Sequence, residues 1–220
     1  MDTPLNLPRV KEHLRYNWWK YVLLVALSLV IWNLYFSMTA YRPPEDKKLV
    51  TLIYASGDYP TAQMWLDTVR EEHFPDQEEF TAEFVVQDET YGTMVLSTRM
   101  VVGDVDLVVV PRSEALSYAE SGLLLSLEDK GDIPALCEAA GVDIQRGWWR
   151  NTAAGERHLL WIPVSGLPRV CSWLYADPAD FCLGIRIQCG NEDNAVELVR
   201  LLLQDAAQNP AAAPEATAAP

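Results

Sequence analysis

Residues 94–111 read MVLSTRMVVGDVDLVVVP. The stretch begins inside a helical run that Thr90 caps and that reaches about Val102. Gly103 stands where a helix needs a residue tolerant of positive φ. After a short turn, Val105–Val110 is a β-branched apolar run stopped by Pro111, the composition of a strand buried on both faces. Helix, glycine and buried strand in such close succession are the crossover unit of a parallel sheet.

The same alternation extends in both directions. Upstream, Leu49–Ala55 (LVTLIYA) reads as a buried strand, broken by Ser56-Gly57-Asp58. Ala62, Trp65, Leu66, Val69 and His73 then share one helix face, with Asp58 as the cap and Pro60 in the first turn. Phe80–Gln87 is the next strand. Downstream, Ser113 opens a helix to about Ser121, with Glu114 in its first turn and Gly122 behind it. Ile133–Ala140 is a short helix before Gly141. His158–Ile162 and Asp180–Cys189 read as further strands, and Asn191 caps a last helix to about Gln204. The expected fold is α/β: a three-layer sandwich on a mostly parallel sheet with right-handed connections.

Ahead of this domain, Tyr21–Ala40 (YVLLVALSLVIWNLYFSMTA) contains no charged residue. Twenty residues of helix rise about 30 Å, the thickness of a bilayer's hydrocarbon core. The stretch is longer than a signal-peptide core, and no small-x-small cleavage site follows it, so an uncleaved anchor is expected. Trp18, Trp19 and Tyr21 suit the headgroup layer at one end. Arg9, Lys11, Arg15 and Lys20 precede the span, and Arg42, Lys47 and Lys48 follow it. With a short tail on one side and a long acidic region on the other, residues 1–20 are expected in the cytoplasm. Residues 41–48 (YRPPEDKK) then form a stalk, residues 49–207 an extracytoplasmic domain, and residues 208–220 a disordered Pro/Ala-rich tail.

The chain carries 31 acidic and 17 basic side chains, a formal charge of −14. Beyond Ala40 the count is 29 acidic to 13 basic. So acidic a domain argues against nucleic acid and against adhesion to anionic lipid. The four cysteines, Cys137, Cys171, Cys182 and Cys189, permit a disulfide outside the cytoplasm, with the pairing open. None forms a C-x-x-C pair, which disfavours zinc.

Three segments resemble bacterial extracellular solute-binding proteins. Residues 94–111 resemble the family's helix that ends in a glycine-aspartate turn before an apolar strand; Gly103, Asp104 and Asp106 fit it, with Val105 in place of the usual Pro. Residues 119–129 (AESGLLLSLED) resemble the G-L-L-x-x-L segment that follows. Residues 158–166 (HLLWIPVSG) resemble the crossing where the family's chain leaves its first lobe, with Trp161 in place of Gly. The resemblance covers about Leu49 to Gly166 and implies one lobe of the two-lobed substrate-binding component of an ABC importer. Residues 167–220 suffice to complete that lobe and are too few to build a second.

Catalytic signatures are missing: there is no phosphate-binding loop, no H-E-x-x-H and no G-x-S-x-G. His73 suits a helix C-terminus, and His158 opens a strand. Ser165 beside Gly166 has no base or elbow context, and Asp104/Asp106 lack the alternating oxygens of a calcium loop. No cofactor is expected and no enzyme.

Ligands of parallel sheets sit beyond the carboxyl ends of the strands. The expected binding residues are therefore Ser56, Gly57, Asp58, Thr90, Arg112 and Ser113. To these we add the aromatic pair Trp148 and Trp149, read as exposed in an irregular segment. Two functions fit: a membrane-tethered domain that binds a solute or a partner protein, or an envelope scaffold that pairs with itself or docks on a membrane partner such as a permease.

Overall fold

The computed structural model describes residues 7–41, 43–88, 91–130, 132–150 and 155–209. The chain divides into two compact units, 1–42 and 43–220. Two expectations fall outside the described residues: the cap at Thr90 and the tail from 210 onward.

The first unit is one helix, α1 (Leu7–Thr39), so helical structure extends well back into the segment read as a tail. Arg15–Thr39 is long and apolar enough to cross a membrane, with a mean hydropathy of 1.9 over an 18-residue window. Its hydroxyls turn back on the helix: Ser28 Oγ donates to the Leu24 carbonyl and Thr39 Oγ1 to that of Tyr35. These two hydroxyls are thereby satisfied within the helix.

The second unit is built on five strands: β1 (Lys48–Ile53), β2 (Glu79–Phe84), β3 (Leu107–Pro111), β6 (Trp161–Pro163) and β7 (Phe181–Ile185). They run in the order β2-β1-β3-β7-β6. β1 pairs in parallel with β2 and β3, whereas β7 pairs antiparallel with both β3 and β6. The sheet is thus mixed, half of it of the expected parallel kind. The reason is the link between β6 and β7: two 3-10 turns and the short α6 (Pro168–Trp173) bring the chain back as an antiparallel neighbour.

Helices cover both faces, giving the expected three layers. On one face α2 (Tyr59–His73), α5 (Ile133–Ala139), α6 and α7 (Glu192–Gln208) pack around Leu49, Ile53, Leu107, Val109 and Leu183. On the other, α3 (Tyr91–Val102) and α4 (Arg112–Glu120) pack around Leu52, Tyr54, Val108 and Val110. Alternate residues of β1 and β3 feed the two cores, which is why both strands read as continuous apolar runs.

Two boundaries move. The expected strand His158–Ile162 is two strands: β5 (Arg157–Leu159) pairs with β4 (Trp148–Arg150) in a separate hairpin, and β6 joins the main sheet. The expected stalk is shorter, because residues 45–48 belong to the domain. The Asn191 amide donates to the Glu45 and Lys48 carbonyls, and that of Gln77 donates to the Asp46 carbonyl. Asn191 therefore stands at the start of α7 without capping it through its side chain.

Candidate functional site

The loop after β1 is covered by the chain itself. The Asp58 N–H donates to the Trp173 carbonyl at 2.8 Å, and the Tyr175 N–H donates to the Ser56 carbonyl at 3.0 Å. Gly57 and Leu174 form an antiparallel bridge between these bonds. A Cβ on Gly57 would lie 2.2 Å from both the Phe84 ring and the Trp173 carbonyl, so only glycine fits under this strap. The Asp58 carboxylate accepts from the Thr61 N–H and, at 2.6 Å, from the Thr61 hydroxyl as the cap of α2. Ser56, Gly57 and Asp58 thus close a turn within the fold.

Of the other expected strand-end residues, Thr90 lies outside the described residues, and Arg112 and Ser113 lie further along the sheet. Tyr54, Gln87, Asp88, Thr93, Ser113 and Glu114 line an open depression of about 320 Å³. The Tyr54 hydroxyl donates to the Asp88 carbonyl at 3.2 Å and lies 3.0 Å from the Thr93 hydroxyl. Ser113 joins this depression, while Arg112 is exposed at the start of α4. The setting is polar and acidic, shaped for small polar or cationic groups rather than for an anion.

Trp148 and Trp149 lie on β4, so they point to opposite sides of the hairpin. Both are half-buried: Trp148 packs on the first core and Trp149 on the second. This corrects the reading of an exposed aromatic pair. Strand alternation sends one ring to each core, and the Arg157 guanidinium stacks over Trp148 at 4.9 Å. The other two tryptophans of this region, Trp161 and Trp173, are fully buried.

The hairpin carries a titratable cluster around His158. His158 Nδ1 lies 2.7 Å from Glu128 Oε1, and Nε2 lies 3.5 Å from Glu156 Oε2. The second Glu128 oxygen accepts the Leu159 N–H at 2.9 Å. The hydrogen bond to Glu128 and the nearby charge of Glu156 hold the imidazole above its ordinary range. Burial would raise the Glu128 carboxyl, but bonds from Ser126, His158 and the backbone outweigh it and bring it down. Ser126 Oγ is also 3.4 Å from His158 Nδ1. The cluster is an ion-pair latch: through His158 Nδ1 and the Leu159 N–H, Glu128 fixes the hairpin to the segment before α5.

All four cysteines are free thiols. Cys182 lies in the second core, across the sheet from Cys137 and Cys189, with Cys171 packed at the edge of the first. That placement keeps Cys182 from pairing with the others. Burial pushes the Cys137 and Cys182 thiols up to about 12 and Cys189 to about 11, so they behave as packing residues rather than nucleophiles. Asp106 accepts the Val50 N–H at 2.7 Å and ties β1 to the entry of β3. Burial lifts its pKa, against that bond and one from Cys189. Among the described residues, no cluster of three or more His, Cys, Asp or Glu side chains could hold a metal ion.

Reading the strand ends missed one surface. Tyr91, Met94, Val101 and Val102 are strongly exposed on α3. The signal was available: α3 carries one charged residue, Arg99, and apolar residues on every face.

No family model matches the chain, and no curated protein matches it. Among solved structures it is similar to an extracellular solute-binding protein family 1 from Alicyclobacillus acidocaldarius subsp. acidocaldarius DSM 446. The identity is 16% and the TM-score 0.38, over 56% of this chain and 29% of that one. The chain thus spans under a third of that protein's length. It is also similar to a peroxide-bound cysteine-to-serine mutant of Corynebacterium glutamicum OxyR, at 17% identity and a TM-score of 0.31, over 94% of this chain and 78% of that one. The oxidized form of the same protein gives 14% and 0.29, over 94% and 78%.

Proposed function

We propose that the chain is a non-catalytic, single-pass membrane protein whose α/β lobe stands outside the membrane and docks on protein. One observation carries this reading: the bridge between Gly57 and Leu174, with its flanking bonds, covers the strand-end loop where a solute would be held. The backbone groups that would meet a ligand there are already paired within the chain. The apolar helix α1 supports the anchor. The acidity of the lobe suits a domain that stays clear of anionic lipid.

A second reading is favoured by the depression beside Tyr54. Its hydroxyls and the Glu114 side chain fit a small cationic or polar solute. Isothermal titration of the full chain in nanodiscs against amines, amino acids, sugars and short peptides separates the two. Docking on protein predicts no saturable heat from any of them. Saturable binding that Ser113→Ala or Thr93→Ala weakens would replace that reading with solute binding. Protease added to intact cells should remove the lobe; full protection would overturn the orientation.

A further inference from the structure

The five-stranded sheet has two edges, β2 and β6, and the fold closes them by different means. β6 is three residues long and ends in Pro163. Beside it, the Leu160 N–H donates to the Gly147 carbonyl and the Trp161 indole to that of Arg146. A short edge strand that carries proline resists pairing with another chain. β2 has six residues and no proline, and it runs on into Val85-Val86. Residues 80–86 read FTAEFVV, a composition that pairs readily with extended chains.

The Val85 N–H donates to the Ile53 carbonyl, so the odd-numbered residues of β2 turn their backbone groups toward β1. Those of Phe80, Ala82 and Phe84 therefore face away from the sheet. Gln63 of α2 meets them: its Nε2 donates to the Phe80 carbonyl at 2.7 Å, and its Oε1 accepts the Ala82 N–H at 3.0 Å. A residue on a parallel sixth strand, opposite Thr81, would make the same two bonds. Asp67 Oδ1 accepts a further bond from Nε2 at 3.0 Å. Both acceptors thus lie at Nε2 and the donor at Oε1, so one orientation of the amide satisfies all three. Four residues before Gln63, Tyr59 packs edge-on against Phe84 with ring centroids 6.4 Å apart. Tyr59, Gln63 and Asp67 form a ridge along the strand. Under it Phe80 and Ala82 are each 1% exposed, whereas Val86, past its end, is 63% exposed.

We propose that Gln63 is an edge guard: its carboxamide takes the place of a sixth-strand residue and keeps extended segments of other proteins from adding to β2. The guard works by competition. An arriving strand gains at Phe80 and Ala82 only the bonds that it breaks, so its net gain there is close to nothing. Charge shows what is kept off. Glu79 and Glu83 repel acidic segments unaided, but basic ones are drawn to them and to a lobe this acidic. Against a basic extended segment the bonded amide is the barrier. The guard does not depend on which protein the lobe docks on.

The test uses the full chain in nanodiscs of zwitterionic lipid. The probe is a fluorescein-labelled peptide of eight residues, alternating Lys and Val, followed by anisotropy. Gln63→Ala should bind it at least about tenfold more tightly than the wild type. Gln63→Met, which keeps the stem and loses the amide, should behave in the same way. Met64→Ala, the exposed neighbour, should match the wild type. A peptide with proline at each Val position keeps the charge but loses those N–H groups, and should bind none of them. Hydrogen exchange reports the edge itself: in both Gln63 variants the Ala82 amide should quicken about tenfold or more, while the Val85 amide, bonded to β1, stays as protected as before. Equal affinity for wild type and Gln63 variants, or equal binding of the proline peptide, overturns the proposal. So does a variant that has lost Ala82 protection and still takes no probe.

Discussion

At the scale of single residues, Gly57 controls how the lobe closes. A methyl there meets the Phe84 ring and the Trp173 carbonyl at 2.2 Å, and the carbonyl cannot swing aside because it accepts the Asp58 N–H. Gly57→Ala should destabilise the lobe by about 2–3 kcal/mol in urea unfolding. Gly122 provides the contrast: its φ is +67°, and a Cβ there meets nothing within 4 Å. Its replacement by Ala costs only the left-handed conformation, about 1 kcal/mol. Equal losses at both positions would mean that the strap over Gly57 is loose. The turn glycines were legible from sequence because their reason is local. Gly103, Gly122 and Gly141 each follow a helical run, and each has positive φ. Gly57 was legible only as a break, since what it makes room for arrives more than a hundred residues later in the chain.

At the scale of elements, the β4–β5 hairpin should respond to pH. His158 binds its proton more tightly in the folded chain than its ordinary value of 6.5 implies. Its contribution is therefore complete below about pH 6.5 and is lost as pH rises through the folded value. Glu128 has the opposite sign: its carboxyl lies below 4.5, so its contribution is present above that value and is lost as pH falls through the folded one. The latch is strongest where both groups are charged, between roughly pH 4.5 and 6.5. Hydrogen exchange of the Leu159 amide should quicken from pH 6 to 8, beyond the intrinsic rise, in the wild type, and His158→Gln should abolish that excess. A Leu159 protection factor that is flat with pH in the wild type would remove the latch. The sequence hid this hairpin because His158–Ile162 is one apolar run. What divides it is Gly147, whose carbonyl accepts the Leu160 N–H between β5 and β6. The antiparallel half of the sheet was hidden for a similar reason. Strand periodicity does not carry direction, and β7 is reversed by the short link after β6.

At the scale of the whole molecule, the lobe combines a closed strand-end loop with an open helix face. Two-sided helix cover, the apolar strands and the long apolar helix α1 were all readable from the sequence, because each follows from residues a few positions apart. Closure of the loop was not, because α6 reads as ordinary connection until the fold lays Trp173–Tyr175 against Ser56–Asp58. In the proposed function that closure separates a docking lobe from a solute holder, and amide exchange measures it directly. The Asp58 and Tyr175 N–H groups should be protected to the level of the Tyr54 N–H, which donates to Val109 at the centre of the sheet. Exchange at Asp58 and Tyr175 orders of magnitude faster than at Tyr54 would describe a loop that opens to solvent and would contradict it.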